Sequence, residues 1–244
     1  DDDQGIYKWN GADPKYFTTY FPGRKVILRQ TRRFGEQIYK FSQIIRQGIF
    51  DSVRKDYECL PKKGTVNRYL KFNEVPFHKL DGTWYILGRV RSTVNELRMA
   101  AKDAGLYFSD NKGTKSFDSK QWDAIRAWTA LTNNKKITRD SAENMYKYIR
   151  ELKDYDFRTV KFWQTIPETQ LFSLKDLRDW AGLDMDDSYL KKTWWEVLKR
   201  NFKDNQVVYF VQLLKNYGHK KLSSEPDIVI DTIHSVKGGE ANNV

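Results

Sequence analysis

The 244 residues are 39% hydrophobic, 15% aromatic and 31% charged, enough apolar material for one large core or two small ones and too much for a disordered tail. Forty-three Lys plus Arg against 32 Asp plus Glu leave a formal net charge of +11, the balance of a protein with a polyanionic partner, whether nucleic acid or a membrane surface. One cysteine, Cys59, excludes an intramolecular disulfide framework, and with three histidines it argues against a structural zinc site. No run approaches the roughly 18 apolar residues of a membrane span. The start, Asp1-Asp2-Asp3, is the opposite of a secretory signal, so the expected compartment is the cytoplasm.

No repeat of fixed period and no low-complexity stretch is visible. Residues 1–21 are rich in aromatics and turn formers. Val26-Ile27-Leu28, three apolar residues between basic neighbours, reads as a short buried strand. Ile38, Phe41, Ile45 and Ile49 recur at spacings of three and four and make one stripe of a helix over 34–49. Residues 51–83 read as irregular, broken by Pro61, Gly64, Pro76 and Gly82, with one strand around 66–70. After the turn signal Asp81-Gly82, residues 84–90 read as a second buried strand. A helix over 93–102, ended at Gly105, and a strand Leu106-Tyr107-Phe108 complete the strand–helix–strand unit of a parallel sheet.

From 118 to 218 the pattern is helical. Asp118 and Gln121 have capping-box spacing ahead of Trp122, Ile125 and Trp128, and Asp140 and Glu143 repeat it ahead of Met145, Tyr146 and Ile149. Ser173 reads as the cap of a short helix carrying Leu174, Leu177 and Trp180, which Gly182 can close. Residues 207–217 are apolar enough for a central helix. Trp122, Trp128, Trp180, Trp194 and Trp195 fall at helical spacings and read as core. Ile228-Val229-Ile230 then returns to a strand pattern. The expectation is an α/β unit interrupted by a mostly helical insertion and then resumed.

Three segments carry chemistry. Residues 1–12, with Gln4-Gly5-Ile6-Tyr7-Lys8-Trp9-Asn10 after the aspartates, resemble the third helicase motif of the UvrD/Rep/PcrA group of superfamily 1 DNA helicases. Leu28-Arg29-Gln30-Thr31-Arg32-Arg33 is similar to that group's fourth motif. Thr232-Ile233-His234-Ser235-Val236-Lys237-Gly238-Gly239-Glu240 resembles its fifth, Thr-x-His-x-x-Lys-Gly-x-Glu. The element from Gly88-Arg89-Val90-Arg91-Ser92 to Gly105-Leu106-Tyr107 resembles the group too, and the Gly-Gly-Glu ending and short insertion look phage-like.

The resemblance implies an α/β fold: a RecA-like parallel sheet with a mostly helical inserted domain. Residues 1–21 would be the tail of the first RecA-like core domain and a linker. Residues 22–113 and 224–244 would form the second core domain, with 114–223 as the inserted accessory domain. It implies that Gln4 senses the γ-phosphate, that Arg33 is the arginine finger on the transferring phosphoryl group, and that Glu240, with Lys237 and Gly238 beside it, meets the nucleotide. Tyr7 and Trp9 would stack on DNA bases; Thr232 and His234 would hold backbone phosphates, and Arg91 would also contact DNA. Taken singly, each has an ordinary explanation: Trp9 as a core tryptophan, His234 as a structural histidine, the basic run over 24–46 as a solvated face.

Two positions depart from the group. Arg32 stands where an adenine-stacking aromatic is usual, and a guanidinium can also stack on a base. Asn10 stands where many members have an arginine. The 244 residues hold no Gly-x-x-x-x-Gly-Lys-Ser/Thr loop and no separate Asp-Glu pair for Mg²⁺. The chain is therefore expected to be a piece of a longer ATP-dependent helicase, inactive alone, with ATP and Mg²⁺ the parent's ligands and none bound to this piece. Its partners would be single-stranded DNA and duplex junctions, with no membrane. The rival expectations are a non-motor DNA scaffold of a helicase–nuclease complex and a stand-alone basic nucleic-acid-binding module.

Overall fold

In a computed structural model of the chain the described residues are 11, 30–31, 34–48, 58–59, 64–77, 81–149, 160–180, 183, 188 and 191–244. They form a mixed α/β protein that divides into two compact units, 1–81 with 233–242 and 82–232 with 243–244.

In the first unit β1 (Gln30–Thr31) pairs in parallel with β2 (Glu58–Cys59), Gln30 opposite Glu58 and Thr31 opposite Cys59. Between them runs α1 (Glu36–Arg46), started by an acid and ended by a base as the helix dipole favours. The expected helix is thus present but shorter, and its stripe is not buried: Ile38, Phe41 and Ile45 are all exposed. The strand expected around 66–70 is absent. Residues 64–69 have no regular structure, and a single 3-10 turn (Phe72–Glu74) follows. Val26-Ile27-Leu28, Ile49 and Gly182 lie outside the described residues.

The second unit is built on β3 (Trp84–Gly88), α2 (Arg91–Asp103), β4 (Phe108–Ser109) and β7 (Ile228–Thr232). The three strands form one parallel sheet in the order β3-β7-β4. The strand–helix–strand unit read from the sequence is present, but its two strands are not neighbours: the strand that arrives last enters between them. α2 ends at Asp103 with Ala104 as its C-cap, and Gly105, at φ +64, turns the chain into β4. The positive φ favours glycine, and a Cβ there would lie 3.0 Å from Asn216 Nδ2 and 3.2 Å from Gln212 Cβ, so those side chains would also have to shift.

Between β4 and β7 lie α3 (Ser119–Thr132), β5 (Ile137–Thr138), α4 (Arg139–Tyr146), α5 (Val160–Gln164), β6 (Leu171–Phe172), α6 (Leu174–Trp180), α7 (Trp194–Val197) and α8 (Asp204–Leu222). Their helix starts follow local chemistry. Asp118 accepts the amides of Lys120 and Gln121 at 2.8 and 3.1 Å, while the Gln121 side chain turns instead to Asn201 and Gln206. Ser173 and Asp176 cap α6 reciprocally, amide to carboxylate at 2.7 Å and amide to hydroxyl at 3.2 Å. α4 differs from expectation: Thr138 is its cap, accepting the Ser141 amide at 3.3 Å, and Asp140 sits in the first turn paired with Arg139. The Thr138 hydroxyl takes the cap two residues earlier, which lets the short antiparallel β5–β6 pair run straight into the helix.

Two aromatic hubs join these helices. Phe210 of α8 meets Phe117 at 5.3 Å, Trp194 at 6.0 Å and Trp122 at 6.5 Å between ring centres. Trp163 of α5, fully buried, meets Tyr146 at 5.1 Å and Phe172 at 5.8 Å. Each ring buries large apolar area and adds the edge-to-face preference of aromatic pairs. Trp122, Trp128 and Trp194 are core as expected, whereas Trp195 is 37% exposed. The Tyr146 side chain is fully buried and its hydroxyl has no hydrogen-bond partner among the described residues; burial pushes its ionisation well above the ordinary tyrosine range.

Two substitutions have opposite expected effects on urea unfolding. Asp118→Ala removes a cap that serves two amides and should cost about 1 kcal/mol. Tyr146→Phe removes an unpaired buried hydroxyl without changing ring packing and should be neutral or stabilising, by up to about 1 kcal/mol. A large loss in Tyr146→Phe would mean that the hydroxyl is bonded after all.

Candidate functional site

The register of the parallel sheet sets Trp84 opposite Ile228 and Gly88 opposite Thr232, so β3 and β7 end at one edge. β4 flanks β7 on the other side and continues beyond Ser109 into the loop that starts at Asp110. In open α/β sheets the carboxyl ends of the strands are where ligands bind, because loops and helix starts converge there.

Four features build this edge. At Gly88 an added Cβ would lie 2.9 Å from Val94 Cγ2 and 3.0 Å from the Val94 amide nitrogen, so only glycine lets the chain leave β3 and enter α2 so tightly. Among the described residues no side-chain cap hydrogen bond is made at Val90, the residue before α2, and Arg89 and Arg91 stand exposed beside its first turn. A helix start with the positive end of its dipole and two arginines is suited to an oxyanion such as phosphate.

Asp231, one residue before the end of β7, is 8% exposed. Its carboxylate accepts the Asn111 amide at 3.2 Å and the Thr232 amide at 2.7 Å, and so ties the loop after β4 to β7. Arg98 crosses from α2 to donate to the Ile230 carbonyl at 3.0 Å. Asp110 organises the loop, accepting the amides of Lys112 and Thr114 at 2.9 and 2.8 Å. Partial burial pushes the Asp110 carboxyl up, but the hydrogen bonds from Thr114 and Lys112 and the charge of Arg98 outweigh it, and the net shift is below the ordinary range.

Of the residues expected from the sequence, Arg91 and Thr232 come to this one edge. His234, Lys237, Gly238 and Glu240 belong to the segment 233–242 of the other unit. That segment is a run of turns, with the Lys237 amide donating to the His234 carbonyl and the Gly239 amide to the Val236 carbonyl at 2.8 Å. Gly238 has φ +87, a conformation that favours glycine. Val236 is buried, His234 half-buried, and Lys237 and Glu240 exposed. Gln4, Tyr7, Trp9, Arg32 and Arg33 lie outside the described residues.

Sequence reasoning missed Asp231, Asp110 and Arg98. A carboxylate closing the apolar run Ile228-Val229-Ile230 is a readable signal, and so is Asp110-Asn111-Lys112-Gly113 as turn chemistry. Arg98 has none, since an arginine in an amphipathic helix looks like any other surface cation. Among the described residues no group of three or more His, Cys, Asp and Glu could hold a metal ion, and no helix is long and apolar enough to cross a membrane. No protein-family model, curated protein or solved structure matches the chain.

Asp231→Ala should destabilise the protein by about 1–3 kcal/mol, because the Asn111 amide loses its acceptor, and should speed hydrogen exchange at that amide. Unchanged exchange would show that the bond does not hold the loop. The folded Asp110 carboxyl is the stronger acid, so the folded state binds fewer protons than the unfolded chain. Its contribution is complete above the ordinary aspartate value of 3.8 and is lost as pH falls through the lower folded value. Asp110→Asn should therefore flatten the acid limb of a stability-versus-pH curve, measured by denaturant unfolding from pH 2 to 6.

Proposed function

We propose that the chain is part of an ATP-dependent DNA helicase of the UvrD/Rep/PcrA type, its small parallel sheet belonging to a second RecA-like domain and residues 114–223 to an inserted accessory domain. The observation that carries the reading is the register pairing Gly88 with Thr232. It brings Arg91, uncapped at the start of α2, and the threonine that opens Thr232-x-His234-x-x-Lys237-Gly238-x-Glu240 to the carboxyl edge of one sheet. That edge suits oxyanions, and both phosphates of a DNA backbone and those of a nucleotide are oxyanions.

In this reading Thr232, His234 and Arg91 hold the backbone of single-stranded DNA, which positions the strand without reading its sequence. Trp9 and Tyr7 provide rings on which bases stack. Glu240 accepts a hydrogen bond from the nucleotide ribose, with Lys237 and Gly238 shaping the same turn. Gln4 senses the γ-phosphate, and Arg32 offers its guanidinium plane to the base. Arg33 sets a fixed charge against the transferring phosphoryl group. ATP and its Mg²⁺ are ligands of the parent enzyme, whose phosphate-binding loop is not among these residues. Hydrolysis then drives movement along the single strand and separation of the duplex ahead of it.

The test uses the complete protein carrying these residues. Arg33→Ala should lower DNA-stimulated kcat by on the order of a thousandfold with DNA binding kept, and Arg33→Lys should rescue poorly because an ammonium lacks the planar fork. Trp9→Ala should weaken DNA binding and uncouple unwinding from hydrolysis. The 244 residues alone should hydrolyse no more ATP than their Arg33→Ala variant. A wild-type ATPase rate in the Arg33→Ala enzyme removes the finger assignment. A complete protein that binds DNA but hydrolyses no ATP makes it a scaffold rather than a motor.

A further inference from the structure

Among the described residues of 82–232 whose burial is defined, every other Trp, Tyr and Phe is buried or half-buried, whereas Trp195 is 37% exposed. A single exposed ring is ordinary on a protein surface; what sets this one apart is the turn that presents it and the cations beside it.

The exposure is held in place. Thr193 and Glu196 cap α7 reciprocally, the Thr193 amide and hydroxyl both reaching the carboxylate, at 2.7 and 2.6 Å. Trp194 turns into the core and meets Phe210, and it also packs on Phe202 at 5.7 Å. Trp195, the next residue, meets Trp194 edge-on at 5.5 Å with planes at 90°. One indole is therefore an anchor, and the other is presented outward from a rigid turn.

The surroundings are mostly basic, with Glu196 inside the segment 191–203 and Asp204 just after it. Over 191–203 the sequence holds Lys191, Lys192, Lys199, Arg200 and Lys203 against the single acid Glu196. The chain folds back on itself here, because the Trp194–Phe202 contact brings 199–203 beside α7. The Arg200 amide also donates to the Tyr148 carbonyl at 3.0 Å. Glu196 has its charged form favoured first by the Thr193 hydroxyl and amide, and then by Lys192 and Lys199, so both lysines sit close to the turn. Lys191, Lys199 and Lys203 are exposed, and Lys192 and Arg200 are half-buried.

A flat ring among clustered cations is the combination that binds unpaired nucleotides. Cations track the phosphates, and the ring stacks on a base whichever base it is. We infer that the α7 turn is a binding surface for single-stranded nucleic acid, with Trp195 as the stacking platform and Lys191, Lys192, Lys199, Arg200 and Lys203 as the phosphate contacts. A duplex fits less well, since its bases are already stacked on one another. An acidic protein would use the charges but has no need of the exposed ring. The surface lies outside the helicase-like motifs, so the inference stands whether or not the helicase reading does.

The experiment measures binding of the 244-residue chain to a fluorescein-labelled thymidine oligonucleotide by anisotropy across a salt series. Trp195→Ala should weaken binding roughly tenfold, while Trp195→Phe, which keeps a ring, should stay close to wild type. Lys199→Gln with Lys203→Gln should reduce the slope of log affinity against log salt by roughly 1–2. Thermal unfolding of each variant separates lost binding from lost fold. If Trp195→Ala does not fold, cross-linking of a 5-iodouracil oligonucleotide to the wild-type chain decides, with adduct at Trp195 expected. Affinity unchanged in a folded Trp195→Ala, adduct confined to other residues, a blunt duplex bound more tightly than the single strand, or equal displacement by polyglutamate would each overturn the inference. In the same assay Arg91→Ala tests the sheet edge instead, so failure of one surface is distinguishable from failure of the other.

Discussion

The middle strand of the principal sheet is supplied last, and the rest of the second unit is arranged around that constraint. β7 slots between β3 and β4, and Arg98 donates to a β7 carbonyl 132 residues further along the chain. A parallel neighbour needs a crossover to return the chain to the same end of the sheet. β3 reaches β4 through α2 alone, whereas β4 reaches β7 through all the helices from α3 to α8. The sheet is complete only when that long excursion has folded back, so its pairing depends on contacts distant in sequence, the kind that are costly to close.

The joint between excursion and sheet is polar as well as apolar. The Tyr209 hydroxyl of α8 reaches the Leu106 carbonyl at 2.6 Å and the Ser116 hydroxyl at 2.7 Å, and burial pushes its ionisation upward. The Tyr107 hydroxyl donates to the Ser224 carbonyl at 2.6 Å, just before β7. Lys115 donates to that same carbonyl and lies over the Tyr107 ring. These tyrosines do two things at once: their rings extend the aromatic core, and their hydroxyls fix where α8 begins and ends relative to β4 and β7. Directional bonds of this kind choose one arrangement among several that would bury similar area.

Regular elements with a strong period or a strong cap were legible. β3 and β7 came from apolar runs, α8 from its apolar stretch over 207–217, and α3 and α6 from the side chains of Asp118 and Ser173. What escaped depended on context. Trp194 and Trp195 are indistinguishable by spacing, yet the contacts of Trp194 with Phe210 and Phe202 put one inside and leave the other out. The stripe on α1 shows the converse, for its period is clear while its apolar residues are not covered. At the site, Arg91 and Thr232 could be named from motif resemblance, but that they share a sheet edge follows from β7 entering the middle, which local sequence does not encode. Asp231 is marked in the sequence as a carboxylate closing an apolar run, but its partner, the Asn111 amide of a distant loop, is not.

Both flanks of the small sheet are occupied. Beyond β4, the Ser116 amide donates to the Phe108 carbonyl at 2.8 Å, and Ser109 bridges to Lys115. Beyond β3, the Tyr85 amide donates to the Asn243 carbonyl at 2.9 Å, and the Asn243 amide returns to the Thr83 carbonyl at 3.0 Å. An open strand edge is a template on which another chain can pair, and natural sheets blunt it with short strands, charges or covering segments. Here a two-residue strand, a lysine and the backbone of Asn243 do this. The consequence is colloidal: with β7 in place, neither flank of this sheet offers an open strand on which another chain can pair edge to edge.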